Sequence, residues 1–159
     1  MPEPRIALVV MSADELQAQR DADRRGRAWA ADYPTAGDVL QARMMAAGER
    51  PQPTEDVPWG PLQIRELATG LAIGGIGFKS VPDGAGSVEI GYGIAPSRQG
   101  RGIASEAVAA VLELARRHGA RVVRADTDVD NLASARVLTK NGFVQVELNG
   151  GSLWWERCL

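Results

Sequence analysis

The sequence predicts a mixed α/β fold of the α+β kind, with a largely antiparallel central sheet flanked by helices. Three observations predict it. Short apolar segments separated by turn residues, over residues 62–95, indicate an antiparallel meander. A polar, glycine-rich loop then leads from the third of these strands into an amphipathic helix. The chain ends in two further strands joined by Asn149-Gly150-Gly151, which is typical of a hairpin turn.

The N-terminal part is predicted to contain one strand, two helices and a connection. Ser12 and Glu15 have the spacing of a capping box, in which Ser12 is the N-cap and Glu15 lies three residues further on. Four prolines after the second helix exclude a third helix there and indicate a surface connection. The predicted elements are a strand over 5–11, a polar helix from this cap to about Trp29, a second helix over 37–47 and the connection over 48–61.

The remainder alternates between strands and helices. The helix that follows the glycine loop carries a stripe of apolar residues at helical spacing, and it ends at Gly119 after Arg116 and Arg117, which suit a helix C-terminus. Asn131 can cap a second, short helix. The predicted elements are strands over 62–68, 71–79 and 88–95, a helix over 103–118, a strand over 122–129, a helix from 131 that ends before 142, and strands over 143–148 and 152–158.

Composition restricts the function classes. A chain of 159 residues fits one domain, residues 1–159. The formal net charge of -2 gives no general attraction to nucleic acid or to an anionic membrane, and no apolar run approaches the length of a membrane span. One cysteine, Cys158, and one histidine, His118, supply neither a disulfide nor a common zinc set. We therefore expect a cytoplasmic protein with no metal, nucleic-acid partner or membrane association.

The glycine loop is the first candidate for a binding site. Gln99-Gly-Arg-Gly-Ile-Ala104 lies between a strand and a helix, where free backbone N–H groups and the positive end of the helix dipole meet. Glycines allow that backbone to approach a ligand closely. Arg98 and Arg101 are expected to add positive charge at the rim of the loop. This pattern indicates a pyrophosphate site, and the alternative is a glycine-rich turn with two solvated arginines.

Two other phosphate-binding motifs do not fit this loop. A Walker loop requires a lysine after its spacer, and the loop contains none. A dinucleotide-binding fold requires a third glycine where Ser105 stands, and it requires βαβ units where the meander is predicted.

The strand before the loop carries a candidate general base. Because side chains alternate along a strand, Glu89, Gly91 and Gly93 share one face. Two glycines beside a carboxylate leave an open floor on which a ligand could lie near an acid–base group. The alternative is that Glu89 faces solvent and that the glycines only permit a bend.

These segments together resemble the GCN5-related N-acetyltransferase (GNAT) superfamily, in particular the branch that contains ribosomal-protein N-terminal acetyltransferases. The resemblance covers residues 88–143 closely. It rests on Val88-Glu-Ile-Gly-Tyr-Gly-Ile-Ala-Pro96, Gln99-Gly-Arg-Gly-Ile-Ala-Ser-Glu-Ala107, Asn131-Leu-Ala-Ser134 and Lys140-Asn-Gly-Phe143.

The resemblance implies an acetyl-CoA-dependent N-acetyltransferase whose acceptor is an amine. It implies a sheet that splits between the Val88 and Val122 strands, direct transfer with Glu89 as general base, and no metal. Ser134 would face the cofactor sulfur. The implied cofactor-binding residues are Ile94 and Ala95, which pair with the pantetheine arm, Asn131, and the pyrophosphate loop formed by Gln99, Gly100, Arg101, Gly102, Ile103, Ala104 and Ser105.

One departure from the family pattern affects the chemistry. Many relatives carry a tyrosine seven residues after the asparagine, as the acid that protonates the thiolate, and here that position is Leu138. Ser134, a water molecule or Tyr33 are the alternatives. Trp29, Asp32 and Tyr33 are expected in the connection that helps to frame the acceptor site. A CoA-binding sensor or scaffold without turnover is the competing function. The acceptor could be a protein N-terminus or a small amine, and the assembly a monomer or a homodimer.

Overall fold

The computed structural model of the chain describes residues 2–159, which form a seven-stranded sheet and four helices. A single 3-10 turn, Pro96–Arg98, precedes the third helix. The elements in chain order are β1 (Ile6–Val9), α1 (Ala13–Asp21), α2 (Ala36–Ala46), β2 (Pro61–Glu66), β3 (Ala72–Phe78), β4 (Ser87–Ile94), α3 (Ile103–Arg117), β5 (Val122–Asp128), α4 (Leu132–Lys140), β6 (Val144–Asn149) and β7 (Ser152–Cys158).

The sheet is antiparallel except at its centre. Its strand order is β1-β2-β3-β4-β5-β7-β6, and only β4 and β5 run parallel. These two strands pair over three residues, Ser87–Glu89 against Val122–Arg124, and no further pairing joins the described parts of β4 and β5. The sheet therefore splits beyond Glu89. The predicted fold class, a mixed and largely antiparallel sheet flanked by helices, is confirmed.

Helix α3 supports the split from one side of the sheet. Its buried stripe follows helical spacing because a helix on a sheet must place one face against it. Each of the two buried valines contributes roughly 1.5 kcal/mol or more through loss of apolar surface from water. The buried residues are Ile103, Ala107, Val108, Val111 and Ala115, which pack with Val88, Ile90 and Ile94 of β4 in one core.

The prediction that α1 extends to about Trp29 is wrong, because the helix ends at Asp21. Ala22 takes a left-handed conformation with φ of 51°, and its N–H donates to the carbonyls of Ala18 and Gln19, which closes the last turn. Trp29 is instead buried in the core, with its ring 5.4 Å from that of Tyr33 in an edge-to-face arrangement. Core packing of an aromatic side chain outweighs the helical continuation that the polar sequence favours.

Residues 2–159 contain neither a membrane-spanning helix nor a cluster of metal-binding side chains. Within that range no helix is both long enough and apolar enough to span a membrane. The same range contains no group of three or more His, Cys, Asp or Glu side chains that could hold a metal ion.

Candidate active site

The loop between β4 and α3 has the conformation of an anion-binding site. Gly100 and Gly102 adopt φ of 76° and 78°, a left-handed region that is unfavourable for other residues. Gly102 is the N-cap of α3 and has no side chain to cap it. Within the described chain, no protein group accepts a hydrogen bond from the six consecutive N–H groups of residues 100–105. Six free donors at a helix start suit the phosphates of a nucleotide cofactor.

The charge at the rim of the loop differs from the prediction. Arg98 does not lie free, because its guanidinium forms an ion pair with Glu66 at 3.0 Å and both side chains are largely buried. Arg5, from before β1, donates to the carbonyl of Arg101 at 2.9 Å and pairs with Glu106. Glu66 and Glu106 thus offset two of the local cations. Main-chain donors, more than side-chain charge, define this anion site.

The open edge of β4 faces the split in the sheet. The N–H groups of Lys79 and Ala95 bond across the β3–β4 ladder, so the odd-numbered groups of β4 point towards β3. The main-chain groups of Tyr92 and the N–H of Ile94 therefore point towards the split. Gln99 donates its side-chain N–H to the carbonyl of Ile94 at 2.9 Å. Gln99 therefore orders this edge with its side chain and is not one of the six free N–H donors.

In the structure the main-chain groups of Ala95, predicted to pair with the pantetheine arm, already have protein partners. Its N–H donates to Ile73 and its carbonyl accepts from Arg98, both at 2.8 Å. Of the pair Ile94 and Ala95, only Ile94 keeps an N–H directed at the split. The side chain of Ser105 also points elsewhere, since its hydroxyl accepts a hydrogen bond from Asn141 at 3.1 Å, and only its main-chain N–H belongs to the anion site.

Beyond the β4–β5 pairing the split widens into a cleft of about 230 Å³, closed on one side by the start of α4. Asn131 caps α4, and its side-chain oxygen Oδ1 accepts from the N–H of Ser134 at 3.1 Å. The Ser134 hydroxyl lies 2.6 Å from the hydroxyl of Tyr92. Burial raises the pKa of Tyr92. The cleft residues are Ile90, Gly91, Tyr92, Ala125, Asp126, Thr127, Asp128, Asn131 and Ser134.

Tyr92 is a functional candidate that the sequence pattern missed. Its position in β4 places it on the apolar face, where Val88, Ile90 and Ile94 are buried. Only the divergence of β4 from β5 allows its hydroxyl to reach α4. Ser134 and Leu138 are four residues apart on one face of α4, and Leu138 is fully buried. The Tyr92 hydroxyl thus meets α4 one turn before Leu138, the position at which the motif resemblance led us to expect a tyrosine.

A second cavity, of about 250 Å³, lies on the opposite side of β4. Both cavities include Gly91 and Tyr92 in their walls, so each borders the middle of β4. The walls combine the glycine face of β3 and β4 with the first turns of α2. They are formed by Met11, Gln19, Thr35, Gly37, Asp38, Gln41, Pro61, Leu62, Gly75, Ile76, Gly77, Phe78, Lys79, Gly91, Tyr92 and Gly93.

Glu89 of β4 forms an ion pair with Lys79, which directly follows β3 and lines this second cavity. Lys79 also lies 3.6 Å from Asp126 on β5, so it bridges the two halves of the sheet. The Lys79 ammonium contacts Oε1 of Glu89, and no described side chain bonds to Oε2. A methyl group at Gly93 would meet no atom within 4 Å, which shows how open the floor beside Glu89 is.

The connection between α1 and α2 meets this second cavity only at its last residue, Thr35. Trp29, Asp32 and Tyr33 do not line the cavity, whereas Thr35, Gly37 and Asp38 at the start of α2 do. Asp32 accepts from the N–H and the hydroxyl of Ser97, at 2.6 and 2.8 Å. The backbone bond from Ser97 is the main cause that holds the pKa of Asp32 below its usual value. Its role here is to tie the connection to the loop before α3.

Tyr33 is excluded as a proton donor at the cleft. The side chain is fully buried, and its hydroxyl is hydrogen-bonded to Gln19 and Gln63. Burial raises the pKa of Tyr33 far above its usual range. Of the candidates for the missing acid, Ser134 is the side chain that lies in the cleft.

The sequence matches one known family over most of its length. The sequence model described as "Acetyltransferase (GNAT) domain" matches residues 5–144, which is most of the chain. The chain belongs to the GNAT acetyltransferase family. The resemblance seen in the sequence motifs is therefore confirmed. No curated protein matches the GNAT chain at a significant level.

Solved GNAT structures resemble the chain over nearly its whole length. The GNAT-family acetyltransferase from Bacillus anthracis has 15% identity and a TM-score of 0.68, and the match covers 99% of this chain and 96% of that one. The ribosomal-protein-S5-alanine acetyltransferase from Vibrio fischeri has 14% identity and a TM-score of 0.65, with coverage of 99% and 95%. The microcin C7 self-immunity acetyltransferase MccE, solved with acetyl-CoA and AMP, has 17% identity and a TM-score of 0.63, with coverage of 99% and 94%.

Proposed function

We propose that this protein is an N-acetyltransferase that moves the acetyl group of acetyl-CoA directly to a primary amine. The observation that carries the proposal is the set of six free N–H donors at residues 100–105, placed beside a split whose wall residues Gly91 and Tyr92 also line a glycine-floored cavity. The proposed unit is the single domain 1–159. It acts in the cytoplasm, without a metal, as a monomer or a homodimer.

The binding part of the proposal assigns the cofactor to the split. The N–H groups of residues 100–105 hold the pyrophosphate, because a helix start favours negative charge. The N–H of Ile94 pairs with the pantetheine arm, and Asn131 contacts the cofactor from the cap of α4. The Tyr92 N–H, also directed at the split, polarises the thioester carbonyl, as preorganised main-chain donors do.

The amine is proposed to react at Gly91. This residue lines both the cleft in the split, which is the proposed cofactor cleft, and the second cavity, which is the proposed acceptor cavity. Acetyl-CoA supplies an activated thioester; transfer forms a C–N bond and breaks the C–S bond. Glu89, through a water molecule, takes the proton from the amine nitrogen with its free Oε2. Lys79 holds the other oxygen and so fixes the direction of the carboxylate.

The Ser134 hydroxyl is proposed to return a proton to the departing thiolate. It is hydrogen-bonded to the Tyr92 hydroxyl, from which the proton can be replaced. The Tyr92–Ser134 pair thus replaces the tyrosine acid that the resemblance leads us to expect at position 138. A CoA-binding protein without turnover is the competing function, favoured by the loss of that acid, and the Tyr92–Ser134 pair argues against it.

The test combines binding with turnover. Acetyl-CoA at 100 times its dissociation constant stabilises a folded state by roughly 2.7 kcal/mol, which corresponds to a rise in Tm of about 5 to 10 °C for a domain of this size. Release of free CoA thiol, measured with a panel of primary amines, then follows turnover. A Tm that does not respond to acetyl-CoA overturns the proposal. A raised Tm without thiol release for any amine supports the non-catalytic function.

A further inference from the structure

The wall of the acceptor cavity contains a buried carboxylate, Asp38, and helix capping accounts for only one of its two oxygens. Asp38 is 6% exposed and occupies the third position of α2. Its Oδ2 accepts from the N–H and the hydroxyl of Thr35, at 2.9 and 2.8 Å, in a capping box. Its Oδ1 accepts no hydrogen bond from any described group, and Asp38 forms part of the cavity wall.

The position of Oδ1 is set by a glycine. A methyl group at Gly75 would lie 2.6 Å from Oδ1, so the carboxylate rests on the bare backbone of β3. Gly75 pairs with Gly93 across the β3–β4 ladder, and Gly91 lies two residues further along β4. Two residues of strand plus the offset between neighbouring strands place Oδ1 about 8 Å from the floor at Gly91.

The charges around the cavity favour a cation at Asp38. No described basic side chain forms a salt bridge with Asp38, and the one cation in the wall, Lys79, is already shared by Glu89 and Asp126. Burial raises the pKa of Asp38, although the hydrogen bonds from Thr35 oppose this. A buried carboxylate without a cationic partner is unfavourable, and a positively charged ligand group would supply the partner.

We propose that Asp38 binds a second cationic group on the acceptor. Because a bound ammonium would lie about 3 Å from Oδ1, the enzyme prefers amines with another positive charge about 5 to 8 Å from the reacting nitrogen. This inference rests on the proposed acetyl transfer at Gly91. It makes Asp38 a specificity residue, which contacts the acceptor but takes no part in proton transfer.

The first experiment uses the wild-type protein and matched acceptors. Putrescine is compared with n-butylamine, and cadaverine with n-pentylamine, by thiol release with saturating acetyl-CoA. The expected result is a kcat/KM at least about tenfold higher for each diamine, which is the low end for a hydrogen bond to a charged group. Equal kcat/KM for a diamine and its monoamine overturns the inference.

The second experiment uses Asp38→Asn, which keeps an oxygen for the capping box and removes the charge. The KM for putrescine is expected to rise about 10- to 100-fold with kcat nearly unchanged, whereas the KM for n-butylamine stays constant. Asp21→Asn, which removes an exposed carboxylate from the adjacent helix, is the matched control and is expected to change neither value. An equal loss for both acceptors in Asp38→Asn overturns the inference.

Calorimetry with putrescine alone separates this inference from the proposed function. Wild-type protein is expected to bind putrescine without acetyl-CoA, and Asp38→Asn is expected to bind it at least tenfold more weakly. If no amine is acetylated but putrescine binds in this Asp38-dependent way, acetyl transfer fails and the cation site stands. If amines are acetylated but putrescine binding is insensitive to Asp38, the cation site fails and the transferase stands.

Discussion

Gly102→Glu is the sharpest perturbation of the anion site. Gly102 holds φ of 78°, and a methyl group there would meet only the Arg5 guanidinium, at 3.5 Å. Steric conflict is therefore small, and the conformational cost of a left-handed non-glycine residue is roughly 1–2 kcal/mol. The protein is expected to fold with a modestly lowered Tm, while a carboxylate is placed beside the proposed pyrophosphate.

The effect on acetyl-CoA binding follows from Coulomb's law. Two unit charges about 6 Å apart repel by about 3 kcal/mol at an effective dielectric constant near 20, which corresponds to a factor of about 100 in affinity. Salt reduces this value, and Arg5 can offset part of the new charge, although Arg5 already pairs with Glu106. We therefore expect the Kd to rise about 10- to 100-fold, and to rise less at high ionic strength.

Isothermal titration with acetyl-CoA at two salt concentrations measures this change. Gly102→Ala is the matched control, because it has the same left-handed strain without the charge. It is expected to lower the Tm by a similar amount and to weaken binding far less. A folded Gly102→Glu protein with wild-type affinity would refute the location of the pyrophosphate. An equal loss in both variants would show that conformation, and not charge, controls binding.

Three further predictions test the catalytic groups and the loop. Glu89→Gln is expected to keep acetyl-CoA affinity and to lower kcat about 10²-fold or more, with a smaller loss at high pH where the amine is already neutral; wild-type pH–rate profiles for the variant would return Glu89 to a structural role. Tyr92→Phe is expected to lower kcat by a similar factor. Burial raises the pKa of the Tyr92 hydroxyl above the usual tyrosine value of 10.0, so the wild-type kcat is expected to show no loss from deprotonation of Tyr92 below that pH. Asp32→Asn is expected to lower the Tm at pH 7. The pKa of Asp32 is held below 3.8, so its contribution is complete above that pH and disappears as the pH falls through the lowered pKa, which thermal melts of both proteins across acid pH would detect.

Local sequence patterns predicted most of the fold because those elements depend on short-range signals. The N-cap at Ser12, the cap at Asn131 and the hairpin at Asn149 each act within a few residues, and the structure contains all three. The predicted capping box forms only in its Ser12 half, because the Glu15 carboxylate binds Arg27 and Arg65 and does not return to the Ser12 N–H. The end of α1 was mispredicted because the burial of Trp29, a contact distant in sequence, determines it. The rim charge at Arg98 was overestimated for the same reason, since its partner Glu66 lies in another strand.

The site residues that the sequence analysis did not identify lie in patterns that predict ordinary secondary structure. Thr35 and Asp38 have the spacing of a capping box, which accounts for the carboxylate without a ligand. Its second role depends on α2 packing over Gly75, a contact that no local pattern encodes. Tyr92 likewise alternates with the glycines of β4, on the same face as its apolar residues, and this pattern predicts a core side chain. Lys79 is identified as a partner of Glu89 only once the β3–β4 register is known.

The donors of the loop before α3 belong to the main chain, which nearly every residue type supplies. Recognition of the anion is thus separated from side-chain identity, except at Gly100 and Gly102, whose left-handed φ values few residues tolerate. The side chains between and after them serve other ends, such as Ile103 in the core and Ser105 bonded to Asn141. Substitutions that keep these separate roles leave the main-chain donors in place. Saturation mutagenesis of residues 100–105 should therefore tolerate most residue types at the exposed position 101, favour apolar residues at 103, and disfavour charged or bulky residues at 100 and 102.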